Sequence, residues 1–303
     1  MGHGSSISTE GTNTLALVLA SLRPKQWTKN LFVFAGILFS QNLFDSRLLL
    51  KAVSAFLIFC ALSGAMYIIN DLADLERDRK HPVKSRRPIA SGKLGSRRAL
   101  VAAIIVLSLS LLLAYFLAPA FFLVGLGYFV LQLTYSLGLK HIAFLEVCAI
   151  AFGFVLRVVG GAVVVAVEIS PWLLICTSLL SLFLALNKRR HELVALGEEA
   201  QAHREVLAEY TTSFLDKTIA AVSALTVLAY ALYTVSGRTV AVFGTKNLVL
   251  TVPFVLFGIF RYQYLVHRKG EGGSPENMLV SDIPLLVDVF LWVVTVGIIL
   301  YKG

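Results

Sequence analysis

Charge is scarce in this sequence. Asp, Glu, Lys and Arg make up 15% of its 303 residues, against about 25% in soluble domains, while 57% are hydrophobic and the mean hydropathy is +0.78. That balance excludes an ordinary soluble globular domain. Cysteine is nearly as rare. Cys60, Cys148 and Cys176 lie in apolar stretches, are odd in number and lack metal-type spacing, so they read as small core residues with no disulfide framework or zinc site. His3, His81, His141, His191, His203 and His267 form no metal-ligand pattern either. No Ser/His/Asp arrangement, P-loop or GxGxxG stands out, so a soluble hydrolase or nucleotide-binding fold finds no support. A signal peptide is also not expected, because Met1 to Asn13 is Gly/Ser/Thr-rich and has no cationic start before an isolated apolar segment. Residues 1–22 are expected to be a disordered N-terminal segment and 23–303 a single transmembrane domain.

Acidic residues are fewer than basic ones, 18 against 27, for a net charge of +9. The cations sit in short clusters between long apolar runs, the pattern of a membrane protein with basic cytoplasmic loops, so no nucleic-acid partner is expected. A helix needs about 20 apolar residues to cross a bilayer. Nine such runs occur, at approximately 24–42, 48–70, 98–116, 119–138, 143–166, 171–187, 216–235, 246–265 and 283–301. The expected fold is therefore an all-α integral membrane protein with nine transmembrane helices. Arg47, Lys51, Arg238, Lys246 and Lys302 fall on one side and Arg157 within a span, which leaves the other side with 21 of the 27 cations. This bias predicts a cytoplasmic N-terminus and an outside C-terminus in the plasma (inner) membrane. Nearly all the carboxylates share the cation-rich face, which orientation alone does not require.

The strongest local signal begins at Tyr67. Asn70, Asp74 and Asp78 are spaced i, i+4, i+8, with Asp71 three before Asp74, so a helix would place these oxygens and Tyr67 on one stripe at the cytoplasmic end of the second span. Crowded carboxylates repel unless a cation sits among them, and all-oxygen ligands suit magnesium holding a diphosphate. A solvated helix end paired with Arg77, Arg79 and Lys80 is the other reading, but the stripe starts inside an apolar span, where ionisable groups are costly. Lys80 to Pro88 follows, with Lys84 and Arg87 between two prolines, a loop able to clamp phosphate oxygens as well as to orient the chain. Further cations flank this face: Lys25 and Lys29 one turn apart, Lys140 after Tyr135, Lys188 within Asn187 to Glu192, and Arg204 in a polar stretch, Glu198 to Thr212, that could cover the mouth. Arg157 sits near the bilayer centre with Gly153, Gly160 and Gly161 nearby. It either faces a cavity or pairs with a buried carboxylate or carbonyls for structure.

The run Asn70-Asp71-Leu72-Ala73-Asp74-Leu75-Glu76-Arg77-Asp78 resembles the first acidic motif, NDxxDxxxD, of the UbiA-type intramembrane prenyltransferase superfamily. That resemblance implies nine helices around a central cavity open on the cytoplasmic face, with Mg2+ as cofactor. Aromatic-acceptor members carry a second Asp-rich motif after the sixth span, where this chain has Asn187-Lys188-Arg189-Arg190-His191-Glu192. The chain is more similar to the decaprenyl-phosphate phosphoribosyltransferase branch, through Arg23 to Asn30, the first motif to Pro88, Tyr135 to Gly161, Lys188 to Glu192, and Arg204 through Tyr210 to Asp216. Glu146 departs from it, standing where that branch leads one to expect Asp. The resemblance implies transfer of 5-phosphoribosyl from phosphoribosyl diphosphate to a polyprenyl (decaprenyl) phosphate, with release of diphosphate, for arabinose-donor and cell-wall synthesis. It implies Asp71, Asp74 and Asp78 as catalytic residues, Asn70, Asp74 and Asp78 as metal ligands, and Lys25, Lys29, Tyr67, Lys84, Arg87, Lys140, Arg157, Lys188 and Arg204 as substrate-binding residues. An acceptor phosphate is already a nucleophile near neutral pH, so cations are needed more than a general base. A homo-oligomer is compatible with the sequence. The alternatives are an aromatic-acceptor polyprenyltransferase and a polytopic transporter, whose polar groups would lie near the midplane rather than on one face.

Overall fold

The computed structural model describes residues 7–197, 205–269, 272–273, 278–279 and 281–302, and among these there are helices and turns but no strand. The α-helices are α1 (Ile7–Ser21), α2 (Ala35–Leu38), α3 (Ser46–Ala73), α4 (Leu75–Lys80), α5 (Ser96–Leu117), α6 (Pro119–Leu137), α7 (Leu145–Val164), α8 (Pro171–Leu196), α9 (Thr212–Val235), α10 (Gly237–Phe243), α11 (Val252–Tyr264) and α12 (Ile283–Lys302). Sequence sets several of these boundaries. Asp45 caps α3, accepting from the Arg47 and Leu48 amides, and Thr211 caps α9 through the Phe214 amide. Pro119 and Pro171 stand in the first turns of α6 and α8, where no intrahelical amide bond is lost.

Eight helices among the described residues are long and apolar enough to cross a membrane, rather than the nine expected. The protein is a multi-pass membrane protein. The difference lies at 24–42, where Pro24–Phe34 forms a 3-10 helix and only Ala35–Leu38 is α-helical. Irregular backbone at membrane depth is tolerated where protein surrounds it, and Val33 and Ile37 are fully buried. Within the N-terminal stretch the described residues carry α1, Ile7–Ser21. Leu17 and Val18 pack against the cluster of Leu22, Ile68, Ile89, Leu94, Ala99 and Ala103.

α3 and α7 form the inside of the bundle: 56% and 61% of their apolar windows are buried, against 17% for α5, whose remaining surface is left for lipid. α7 belongs to both large cores. Val164 joins Phe59, Leu62, Met66, Phe121 and Tyr128, whereas Val147 joins Phe183, Leu186, Leu207, Leu215 and Ile259. The irregular first segment lies directly on α7. A Cβ added at Gly161 would stand 1.8 Å from the Val33 carbonyl oxygen and 2.7 Å from its carbon. Gly161→Ala must therefore push two backbones apart, and we expect it to cost about 3 kcal/mol or more, at the upper end for overpacking. Thermal unfolding in detergent, followed by size-exclusion fluorescence, measures this; an unchanged midpoint would contradict the close approach.

Candidate active site where α3, the α6–α7 turn and α8 meet

The acidic motif does not form one continuous stripe. α3 ends at Ala73, Asp74 has non-helical dihedrals (φ −98°, ψ 11°), and α4 restarts at Leu75. This break divides the oxygens into two groups. Asp74 faces the α6–α7 connection, where Lys140 Nζ donates to its Oδ1 at 2.6 Å, and its Oδ2 accepts from Asn70 Nδ2 at 3.2 Å. Asn70 Oδ1 accepts from Ser136 Oγ at 3.2 Å. Asp71 and Asp78 are buried and turn toward arginines instead. Arg87 bridges them, lying 2.9 Å from Asp71 Oδ1 and also donating to Asp78, while Arg23 donates to Asp71 as well. Lys84 Nζ stands 4.0 Å from Asp78. Burial lowers the Arg23 guanidinium from its ordinary value, opposed chiefly by Asp71. Arg23 also lies over the Tyr67 ring, 4.9 Å from its centroid.

Among the described residues no group of three or more His, Cys, Asp or Glu is arranged to hold a metal ion. The donor chemistry still fits a hard divalent cation, since the Asp74 carboxylate adjoins Asn70, whose amide oxygen is a second hard ligand once the amide is turned from Ser136. Magnesium is ordinarily held by one or two carboxylates with substrate phosphates completing its shell, rather than by an all-protein cage.

A second cluster lies between α7 and α8. Arg189, fully buried in the last turns of α8, has its Nε 2.9 Å from Glu146 Oε1 at the start of α7 and also pairs with Glu192. Lys188 beside it is half-buried. Arg190 pairs with Asp216 of α9, 3.4 Å from His267. The Glu205–Glu209 turn ties α4 to the α6–α7 connection: Glu205 reaches Arg77 at 2.7 Å and His141 at 3.4 Å, and Tyr210 OH accepts from the Phe144 amide at 2.8 Å. Both Glu205 contacts are exposed and worth little stability, so anchoring falls to buried Val206 and Leu207. Arg204 and the rest of 198–204, expected at the mouth, lie outside the described residues.

The remaining expected residues sit as follows. Lys29 is half-buried and bonds Gln26, while Lys25 is exposed. Arg157 is buried in α7, donating from Nε to Asn30 Oδ1 at 2.7 Å, from NH1 to the Gly153 carbonyl at 2.7 Å and from NH2 to Tyr128 OH at 2.9 Å. No carboxylate is among these partners. Sequence reasoning did not single out Arg23, Ser136 or Arg189, nor pair Glu146 with Arg189; Arg189 and Glu146 lay inside quoted stretches, but no local spacing links α7 to the end of α8.

The sequence profile of the UbiA prenyltransferase family matches residues 30–300. The chain belongs to that family. It is similar to the decaprenyl-phosphate phosphoribosyltransferase of Mycobacterium tuberculosis, 33% identical over 289 residues that span 94% of each chain. It is equally similar to the enzyme of the same name from Corynebacterium glutamicum, 33% identical over 291 residues, 94% of this chain and 86% of that one. Among solved structures, a UbiA homolog from Archaeoglobus fulgidus bound to GPP and Mg2+ has a TM-score of 0.73 over 95% of this chain and 100% of that chain, at 21% identity. That likeness establishes the UbiA fold.

Proposed function

We propose that the protein transfers 5-phosphoribosyl from phosphoribosyl diphosphate to a polyprenyl phosphate, with magnesium, at the cytoplasmic face of the plasma membrane. Full-length likeness to curated phosphoribosyltransferases supports the reaction. The geometric observation that carries it is the set of cations gathered on this face: Arg23, Arg87 and Lys140 sit on the motif carboxylates, Lys84 stands 4.0 Å from Asp78, Lys188 lies beside Arg189, and no second Asp-rich group stands there, since Glu146 and Glu192 flank the Arg189 guanidinium. Two phosphate-bearing substrates need such cations to take their oxygens. Counting the Pro24–Leu38 segment as a ninth crossing keeps the N-terminus and the site on the cation-rich side, with the cavity open to the cytoplasm.

In this reading Asn70 and Asp74 would hold the metal, which when bound would neutralise charge on the leaving diphosphate, while Asp78, which the motif also offered as a ligand, holds Arg87. Lys140, Arg87, Arg23, Lys84 and Lys188 take phosphate oxygens, and Tyr67 contacts the ribose. The bond from the ribose anomeric carbon to the diphosphate oxygen breaks, and the carbon gains oxocarbenium character. An oxygen of the acceptor phosphate bonds to that carbon from the opposite face. The acceptor is already ionised, so no side chain need remove a proton, and diphosphate leaves carrying its own charge.

The test is mass spectrometry of purified protein in detergent, supplied in parallel with polyprenyl phosphate plus phosphoribosyl diphosphate and with prenyl diphosphate plus an aromatic acid. A magnesium-dependent lipid gaining a phosphoribosyl mass is expected; a prenylated aromatic product would replace this reading with the aromatic-acceptor one. Arg157 is proposed to guide the acceptor. Arg157→Gln should raise the acceptor KM about tenfold, the loss of one charge-assisted contact, in protein that remains folded. A shift in thermal stability alone would make Arg157 purely structural.

A further inference from the structure

Both oxygens of Asp74 are occupied by donors of the protein itself. Lys140 Nζ holds Oδ1, and the Asn70 amide nitrogen, not its oxygen, faces Oδ2. The Asn70 oxygen is turned to the Ser136 hydroxyl. Asp71 and Asp78 are closed in the same manner by Arg23 and Arg87. Three carboxylates thus face three cations, and a divalent ion arriving alone would meet an ammonium within hydrogen-bond reach of the oxygen it needs.

Lys140 cannot simply retreat. Its side chain is 10% exposed, and Asp74 is its one charged partner among the described residues. A buried ammonium stripped of its only partner is strongly unfavourable unless another anion replaces it. A diphosphate is such an anion, and Lys140 is placed to follow it: it sits on the three-residue 3-10 turn Leu139–His141 between α6 and α7, on a flexible four-carbon stem. Asn70 can reverse its amide at little cost, because the Ser136 hydroxyl donates or accepts equally well.

We propose that metal and donor load together, with Lys140 as the counter-ion that exchanges. The diphosphate draws Lys140 off Asp74, the released oxygen ligates the metal, and neither ligand binds tightly without the other. This rests on the diphosphate-donor reading above. By linkage each ligand must tighten the other by the same factor.

The test uses the full chain in detergent with Mn2+ as an EPR-visible probe. Bound metal is titrated without additive, with inorganic diphosphate and with phosphoribosyl diphosphate, subtracting the soluble Mn2+–diphosphate complex measured without protein. Diphosphate should tighten Mn2+ binding about tenfold or more, within the usual span of coupling between sites. Lys140→Gln should tighten Mn2+ binding in the absence of diphosphate and shrink that factor. Equal Mn2+ affinity with and without diphosphate would overturn the proposal, as would a folded Lys140→Gln protein whose diphosphate-free affinity is unchanged. Should that variant not fold, wild-type diphosphate affinity with and without Mn2+ decides: the factor must match, and a factor of one overturns it. Coupling by inorganic diphosphate but none by phosphoribosyl diphosphate would instead remove the donor reading and leave the exchange standing.

Discussion

Asp74→Asn is expected to lower phosphoribosyl transfer by about 10³-fold or more, the scale of losing a preorganised electrostatic contact together with a metal ligand. The substitution keeps size and shape. It removes the charge that Lys140 contacts at 2.6 Å and the carboxylate that adjoins Asn70. Of the three motif aspartates, Asp74 alone has no arginine upon it; Asp71 and Asp78 share Arg87, and Asp71 also holds Arg23. Asp71→Asn should therefore act partly through folding, because the buried Asp71 carboxylate holds the half-buried Arg23 and Arg87 guanidinium groups, whereas Asp74→Asn should act chiefly on turnover. The measurement is magnesium-dependent formation of phosphoribosylated lipid, alongside the thermal midpoint of each variant. Full activity in Asp74→Asn would sink the assignment of the acidic motif.

What could be read from the sequence follows how local each signal is. The apolar runs and the Asn70 to Asp78 spacing depend on one helix at a time, and the eight observed spans fall on eight of the nine runs. The 24–42 run misled because hydropathy counts apolar residues without registering backbone geometry: Pro24–Phe34 is a 3-10 helix whose Val33 carbonyl lies directly on Gly161 of α7. In the N-terminal stretch the apolar signal was short, and α1 is held by two residues, Leu17 and Val18. The stripe itself was only half legible: i, i+4, i+8 assumes an unbroken helix, and the turn at Asp74 separates it from Asp71 and Asp78. Lys140 was legible as a cation on the right face, but its pairing with Asp74, 66 residues away, is a property of packing.

Glu146 and Arg189 show what that packing is worth. Arg189→Met should destabilise the protein by about 3–5 kcal/mol, the usual cost of removing one member of a buried ion pair, because the fully enclosed Glu146 would lose the guanidinium beside it. Glu146→Gln should cost less, since Arg189 retains Glu192, which is 25% exposed and partly solvated. The double variant Glu146→Gln/Arg189→Met should recover most of the loss, because the fully buried carboxylate is gone and the one that remains, Glu192, is 25% exposed. A double-mutant cycle on thermal or SDS-induced unfolding reads the coupling directly. Additive losses would mean the pair contributes nothing as a pair, and that α7 and α8 are joined by Val147, Phe183 and Leu186 alone. A coupling of several kcal/mol would instead make Glu146 a residue retained to hold a guanidinium, with its longer side chain spanning the distance to Arg189 that an aspartate would leave open.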